Sequence, residues 1–403
     1  MGQQKAFTFK GNGRAGRHGW LRLTPAYSVN TVAQLLCAAT PSDRILDPFS
    51  GTGTTPLVCA TMGLSGHAVD INPFLVWLGN LKLTRFRHGT TEDLPAAASA
   101  LQAKALRTEA SANHWRPSIH QIEKWWDQPT LRRLASIYAQ IERAGHPGAH
   151  LRNLLKLAFC RAMINSANVS FGHQSMSFRR GGQHEGLFSP PDPGALFVDA
   201  ARGIADSLLE PLLREDCRVL AGDARRLEDC LPGKDYTIVI TSPPYPNRMS
   251  YIRELRPYMY WLGFLTNGRE AGELDWQAIG GTWGCATSQL NSWQPRNASI
   301  PYKGFERIVA EINAVSPLLG NYVRKYFEDM QAHLASLRKV LASGAHCYYV
   351  IGNSKFYDTL LPTEKIFAAL LESLKFKEVG VHTLRKRTSK KELYEYVVEA
   401  VSP

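Results

Sequence analysis

Residues 44–70 constrain the fold more than any other part of the chain. Arg44-Ile45-Leu46-Asp47 reads as a short buried strand, 48–54 as a glycine-rich turn, 55–62 as a helix and 65–70 as a second strand. A helix over 31–39, with Val32, Leu35 and Leu36 on one face, is expected just before it. Strand, glycine-rich turn, helix and strand together make a βαβ unit, the starting piece of a doubly wound parallel sheet.

The pattern changes after Leu83. Residues 85–214 are mostly helical in periodicity and hold Trp115, Trp125, Trp126, Arg132 and Arg133, which predicts an inserted region. Within it, 170–193 has few periodic apolar residues and reads as a long loop. The sheet pattern resumes at 217–220. A strongly apolar, β-branched strand follows at 235–240 and ends in Thr241-Ser242-Pro243-Pro244-Tyr245. A second irregular stretch is expected at 266–316, with Trp276, Trp283 and Trp293. Beyond it come a helix at 321–341, a strand at 346–352, a helix at 363–374, and strands at 379–383 and 394–401. Residues 1–84 and 215–403 therefore form one catalytic domain, with 85–214 inserted into it.

Two loops carry the chemistry. The first is Asp47-Pro48-Phe49-Ser50-Gly51-Thr52-Gly53-Thr54-Thr55. Glycines at a strand end let backbone approach a ligand closely. No Lys follows the second Gly, so this is not a Walker phosphate loop, and the third Gly of the dinucleotide fingerprint is missing. A loop cradling an amino-acid-plus-nucleoside ligand remains. Asp70, at the next strand end and roughly twenty residues on, can accept hydrogen bonds from both hydroxyls of a ribose. An isolated Asp there is otherwise a helix cap or turn residue. The second loop is Ser242-Pro243-Pro244-Tyr245. Consecutive prolines leave carbonyls without local N–H neighbours, and a buried carbonyl needs a donor. The amino group of a base flipped out of a duplex supplies one, Ser242 adds a hydroxyl, and Tyr245 offers an aromatic face.

DPFSGTGTT, VDINP and TSPPY together resemble the cofactor loop, ribose-binding strand end and catalytic loop of the amino-methyltransferases that act on DNA. The resemblance covers 20–84 and 217–265 by motif, and 320–401 by strand and helix order. It implies a Rossmann-like α/β methyltransferase sheet with S-adenosyl-L-methionine as cofactor. Residues 23–30, including Tyr27 and Ser28, sit where the family has its extra cofactor segment. Gly222-Asp223-Ala224 sits where an acidic residue meets the cofactor adenine. The implied cofactor set is Tyr27, Ser28, Asp47, Phe49, Ser50, Gly51, Gly53, Thr54, Asp70, Ile71, Asp223, Ala224 and Thr241. The implied catalytic set is Ser242, Pro243, Pro244 and Tyr245. Ser at the head of the catalytic motif is similar to the cytosine-N4 enzymes, whereas adenine-N6 enzymes more often carry Asp or Asn. Many of the cytosine-N4 enzymes place the catalytic loop first; here the glycine loop precedes it.

The net charge of +12 suits a polyanionic partner. Its clusters are Arg14, Arg17 and Arg22; Arg179 and Arg180; and Lys386, Arg387, Lys390 and Lys391. The expected partner is double-stranded DNA, read mainly through 85–214, with a cognate restriction endonuclease possible. Adenine-N6 methylation, RNA base methylation and a non-catalytic DNA-binding protein on the same fold are the alternatives. The seven cysteines form no CxxC pair and read as buried reduced thiols. His114, His120, His146, His150, His173 and His184 match no ligand spacing, so no metal is expected. No apolar run approaches the roughly 20 residues of a membrane span. The polar, basic start carries no signal-like stretch, and a cytoplasmic location is expected.

Overall fold

The computed structural model describes residues 11–12, 16–23, 27–108, 115–144, 148–170, 177–178, 191–247, 249–282, 284–296, 299–387 and 392–403. Arg14, residues 24–26, His114, His146, His173, His184, Arg179, Arg180, Trp283, Lys390 and Lys391 lie outside them, as does most of the expected loop at 170–193.

Along the chain, helix α1 (Val29–Leu35) leads into β1 (Arg44–Asp47), α2 (Thr54–Met62), β2 (Ser65–Asp70) and α3 (Pro73–Leu83). The helical region holds α4 (Thr90–Thr108), α5 (Gln128–Arg143), α6 (Ala149–Asn165), a two-residue hairpin β3 (Val169–Ser170) and β4 (Ser177–Phe178), and α7 (Pro193–Ser207). The sheet resumes with β5 (Arg218–Ala221) and β6 (Tyr236–Thr241). Next come α8 (Tyr251–Trp261), α9 (Gly268–Gln277), α10 (Cys285–Ser292), α11 (Phe305–Val315) and α12 (Pro317–Arg338). The chain ends in β7 (Leu341–Gly352), the hairpin β8 (Ser354–Phe356) and β9 (Thr359–Leu361), α13 (Thr363–Ser373), β10 (Lys377–Lys386) and β11 (Tyr394–Val401).

The main sheet runs β10-β11-β7-β6-β1-β2-β5. Strands β5, β2, β1, β6 and β7 pair in parallel, and only β11 is antiparallel to its neighbours. The chain enters at β1, winds outward to β5, then returns to β6 and winds the other way. That reversal opens a crevice at the carboxyl ends of β1 and β6, where doubly wound sheets bind ligands. The glycine loop, Asp70, Asp223 and Ser242 all follow carboxyl ends of these strands. The expected α/β methyltransferase-type sheet is therefore present.

Two local features hold the cofactor half together. Gly53 has φ +76°, in the left-handed region, and caps α2. A Cβ on Gly53 would lie 3.1 Å from the Cα of Gly79, and one on Gly79 would lie 2.6 Å from Val219 Cγ2. Helix α3 thus rests on the loop and on the edge strand β5. Its Asn80 covers that edge, donating from Nδ2 to the Val219 carbonyl at 2.7 Å and accepting from the Val219 N–H at 2.9 Å. Gly79→Ala should cost about 1–3 kcal/mol by overpacking. Urea denaturation checks this; an unchanged midpoint would mean that α3 shifts freely.

The helical region shares one core with the sheet's flanking helices. Phe74 and Leu78 of α3, Trp126, Leu154, Phe159 and Phe197 of the insertion, and Trp261 of α8 form a continuous buried cluster. Trp125 and Trp126 are buried, whereas Trp115 is exposed. Within 266–316 the described residues form α9, α10 and α11, joined by segments without regular structure. Asn267 starts α9 by accepting from the N–H groups of Arg269 and Glu270. These helices are short and separated by Gly and Pro, so no window shows a clear period. Cys59, Cys160, Cys217 and Cys347 are buried as expected, but Cys37 is exposed because α1 ends before it. Among the described residues no helix is long and apolar enough to cross a membrane.

Candidate active site

A single cavity joins the cofactor motifs to the catalytic loop. Its wall includes Tyr27, Ser28, Phe49, Ser50, Gly51, Asp70, Ile71, Asp223 and Ala224, and continues through Ser242, Pro243, Pro244 and Tyr245. About 1570 Å³ of empty space lies within it, open mouth included.

Asp70 stands at the centre of the cofactor end. Its Oδ2 accepts from the Gly51 N–H and its Oδ1 from the Asn72 N–H, both at 2.8 Å. The capping of α3 falls to Asn72, whose side chain accepts from the Phe74 N–H at 3.0 Å. Asp70 is thus spared the cap role and lines the cavity. Burial raises its pKa to about 7, against the pull of the two N–H groups.

Not every expected cofactor residue faces the cavity. Asp47, Thr54 and Thr241 are buried behind the wall, and Gly53 serves the contact with Gly79. The Thr241 hydroxyl donates to Asp47 Oδ1 at 2.5 Å, and the Phe49 N–H donates to the same oxygen at 3.1 Å. The Tyr27 hydroxyl closes against Thr55 and lies 3.5 Å from Asp47 Oδ2. Asp47 therefore ties β1, β6 and the Tyr27 segment together. Burial raises its pKa to about 6 despite these hydrogen bonds.

At the far end Asp223 is held by Arg225, whose Nη2 donates to Asp223 Oδ2 at 2.7 Å. Burial opposes ionisation there, but the bonds from Arg225 keep the carboxyl below its ordinary range. Arg225 also donates to Asp329 at 2.9 Å and to the Gln277 carbonyl at 2.6 Å. It so clamps the 275–281 segment onto the cavity rim. His333 supports Ala224 and Phe49. Burial lowers its pKa to about 4, so the ring is neutral. Its Nδ1 is 2.9 Å from the Ala224 carbonyl and Nε2 is 2.8 Å from the Tyr349 hydroxyl, while Phe49 meets the ring edge-on.

The donor set suits S-adenosylmethionine. Among the described residues the buried Ser50 and Thr31 hydroxyls on the wall have no hydrogen-bond partner. A ligand with an amino-acid end would supply one. Asp70 retains lone pairs for a ribose, and Asp223 can accept from an amino group.

In the catalytic loop the Ser242 hydroxyl donates to the Val350 carbonyl at 3.0 Å. A side-chain hydrogen bond also links it to Tyr245. The Tyr326 hydroxyl donates to the Pro244 carbonyl at 2.8 Å. Among the described residues no donor reaches the Pro243 carbonyl, on a residue that lines the cavity. The Tyr245 ring packs on Gly352, where an added Cβ would lie 2.9 Å from it. Burial drives the Tyr245 phenol well above its usual range, so it stays neutral.

Several wall and support residues carried no motif: Asn12, Arg225, Asp275, His333, Arg385, Arg387 and Glu395. Asn12 clips the cofactor segment, donating to the Tyr27 carbonyl at 2.8 Å and accepting from the Val29 N–H at 3.1 Å. Asp275, 1 % exposed, accepts from the Ser250 hydroxyl at 2.5 Å. The one available signal was an acidic or basic residue inside an otherwise apolar strand or helix, and it is weak.

No protein-family model matches the chain. It is 21 % identical over 442 residues to the Type II methyltransferase M.BsoBI of Geobacillus stearothermophilus, spanning 95 % of this chain and 83 % of that protein. A 72-residue segment, 17 % of this chain and 15 % of the relative, is 31 % identical to the Type II methyltransferase M.AvaI of Nostoc. A 44-residue segment, 11 % of this chain and 8 % of the relative, is 41 % identical to the Type II methyltransferase M.MjaII of Methanocaldococcus jannaschii. Among solved structures, the rRNA methyltransferase aviRa of Streptomyces viridochromogenes aligns over 93 % of this chain and 83 % of its own. The identity there is 14 % and the TM-score 0.30. The three Type II methyltransferase relatives support a methyltransferase enzyme, with S-adenosylmethionine as the methyl donor.

Proposed function

We propose that this chain, a methyltransferase that draws its methyl group from S-adenosylmethionine, transfers it to the N4 amino group of a cytosine flipped out of double-stranded DNA. The observation that carries the reading is the pair of acceptors, Ser242 Oγ and the Pro243 carbonyl, in the same cavity as Asp70. The net charge of +12 and the type II relatives support DNA as the substrate.

When bound, S-adenosylmethionine supplies a methyl group on a positively charged sulfur. Tyr27, Ser28, Phe49, Ser50, Gly51, Asp70, Ile71, Asp223 and Ala224 would hold it. Asp47, Gly53, Thr54 and Thr241 shape the loop from behind. An exocyclic amino nitrogen is a poor nucleophile, because its lone pair is delocalised into the ring. Ser242 Oγ and the Pro243 carbonyl accept its two hydrogens, which turns the lone pair out of the ring plane. The same oxygens balance the positive charge that develops on nitrogen. Tyr245 lines the base end of the cavity and adds an aromatic contact. No nucleophilic cysteine is required. Helices α4 to α7, with α9 to α11, form the region assigned to target recognition.

The test is direct. Purified protein is incubated with radiolabelled S-adenosylmethionine and unmethylated genomic DNA, and the digested nucleosides are identified by mass spectrometry. Labelled N4-methylcytosine is expected. Labelled N6-methyladenine would keep the mechanism and overturn the cytosine assignment; label only in RNA, or nowhere, would overturn the DNA assignment.

A further inference from the structure

The cavity does not end at Tyr245. It continues along the carboxyl end of β7 to Leu384 and Arg385 of β10, Arg387 just beyond that strand, and Glu395 of β11. The register sets Gly352 opposite Glu395, and Glu395 opposite Arg385, so the three lie in a row across neighbouring strands. The carboxyl end of β6, which carries Ser242, is beside β7, with Thr241 opposite Tyr349.

The two arginines differ in what satisfies them. Arg385 gives Nε and Nη2 to the two oxygens of Glu395, at 2.6 and 2.8 Å. That pair is complete in itself. Arg387 lies two residues on, and only 9 % of it is exposed. Its Nη1 donates to the Asn353 carbonyl at 3.1 Å, and its guanidinium carbon lies 5.7 Å from the Tyr245 ring centroid. Among the described residues its guanidinium makes no other hydrogen bond, and no carboxylate pairs with it. A guanidinium carries five N–H donors in a rigid fork. None of the remaining N–H groups of Arg387 is sealed off from solvent, and the residue lines the cavity that holds Ser242 and the Pro243 carbonyl, where a ligand with acceptors can meet them.

We infer that Arg387 binds the ring acceptors N3 and O2 of the target cytosine, and so selects cytosine over adenine. This rests on the reading of cytosine N4 as the methylated atom. With its amino hydrogens at Ser242 and Pro243, cytosine presents N3 and then O2 along the same edge, two neighbouring acceptors that match a guanidinium fork. Adenine presents N1 and then a C2–H, which accepts nothing. Gly352 makes the arrangement possible: a Cβ there would lie 2.9 Å from the Tyr245 ring and 3.3 Å from Arg387 Nη1.

The experiment uses the full chain and a duplex bearing the sequence that wild-type protein labels. The target is either cytosine or a 2-aminopyridine C-nucleoside, which keeps the amino group and ring nitrogen but lacks O2. If wild type labels a base other than cytosine, the functional reading fails, and the inference with it. If wild type makes N4-methylcytosine, Arg387→Ala should lower kcat/KM on cytosine about 10–100-fold, with S-adenosylmethionine affinity within twofold. On the analogue, wild type should lose part of that factor, and Arg387→Ala should cost clearly less than it does on cytosine, because one of the arginine's two acceptors is already gone. Should Arg387→Ala fold poorly, Arg387→Lys serves in the same cycle, with a smaller loss on cytosine and again less loss on the analogue than on cytosine. Losses that multiply, with the variant as damaging on the analogue as on cytosine, would overturn the inference and leave Arg387 as a support for Tyr245 and Asn353.

Discussion

Ser242→Ala should lower turnover about 10²–10³-fold, the usual cost of removing one preorganised polar group from a reacting centre. The affinity for S-adenosylmethionine should hardly change. Ser242 sits at the catalytic end of the cavity, and its hydroxyl donates to the Val350 carbonyl. On the proposed reading its oxygen, held by that bond, meets the amino group without rearrangement. Alanine leaves the backbone and the Pro243 carbonyl in place but removes one of two acceptors. The amino group could then rotate, and half of the stabilisation of the developing charge would be lost. Single-turnover kinetics with calorimetry of cofactor binding separates the two effects. A parallel loss of cofactor affinity would place Ser242 in the cofactor site rather than at the reacting nitrogen.

Asp70→Ala should act at the opposite end, weakening S-adenosylmethionine binding about 10²-fold at pH 8 through the loss of charge-assisted hydrogen bonds to the ribose. Wild-type affinity should also depend on pH. With its pKa raised to about 7, the Asp70 carboxyl is protonated in the empty protein at lower pH. Binding that needs the carboxylate then releases a proton, so affinity should fall about tenfold per pH unit below 7. Calorimetry in buffers of different ionisation enthalpy would detect the proton, and Asp70→Ala should abolish it. The stability of the empty protein moves the other way. A carboxyl whose folded pKa lies above its unfolded value contributes stability below about pH 4 and loses it as pH rises through about 7. The Tm of wild type relative to Asp70→Ala should accordingly decline across that window. A pH-independent cofactor affinity would count against the ribose role of Asp70.

What could be read from sequence alone was local and contiguous. The βαβ unit at 44–70 was legible because an apolar strand, left-handed glycines and a strand-end carboxylate occur within a short run. Strands β2 and β11 lie at 65–70 and 394–401 as expected. TSPPY was legible because two prolines cannot continue a strand. Motif membership nevertheless did not by itself place a residue on the cavity wall. Gly51 faces the cavity, but Gly53 admits Gly79, and Asp47 and Thr241 hydrogen-bond each other behind the wall. Helices α9 to α11 escaped notice because each is too short to show a period.

Only the tertiary structure decided which distant residues meet. Strand order is set by which apolar faces and edges pair across the whole chain, and no window of sequence contains both partners. That order brings β6 beside β1, and so Ser242 into the same cavity as Asp70. It also carries Arg385, Arg387 and Glu395 from near the end of the chain to the base end of that cavity. In the sequence Arg387 is one basic residue in a cluster, as well suited to a solvated surface. In the fold it is nine-tenths buried beside Tyr245, because β10 and β11 close the sheet next to β7. The chemistry of each loop is written in its own residues. The distances between loops are written in the pairing of strands, and these place the Ser242 and Pro243 oxygens, the Asp70 carboxylate and the Arg387 guanidinium around a common space.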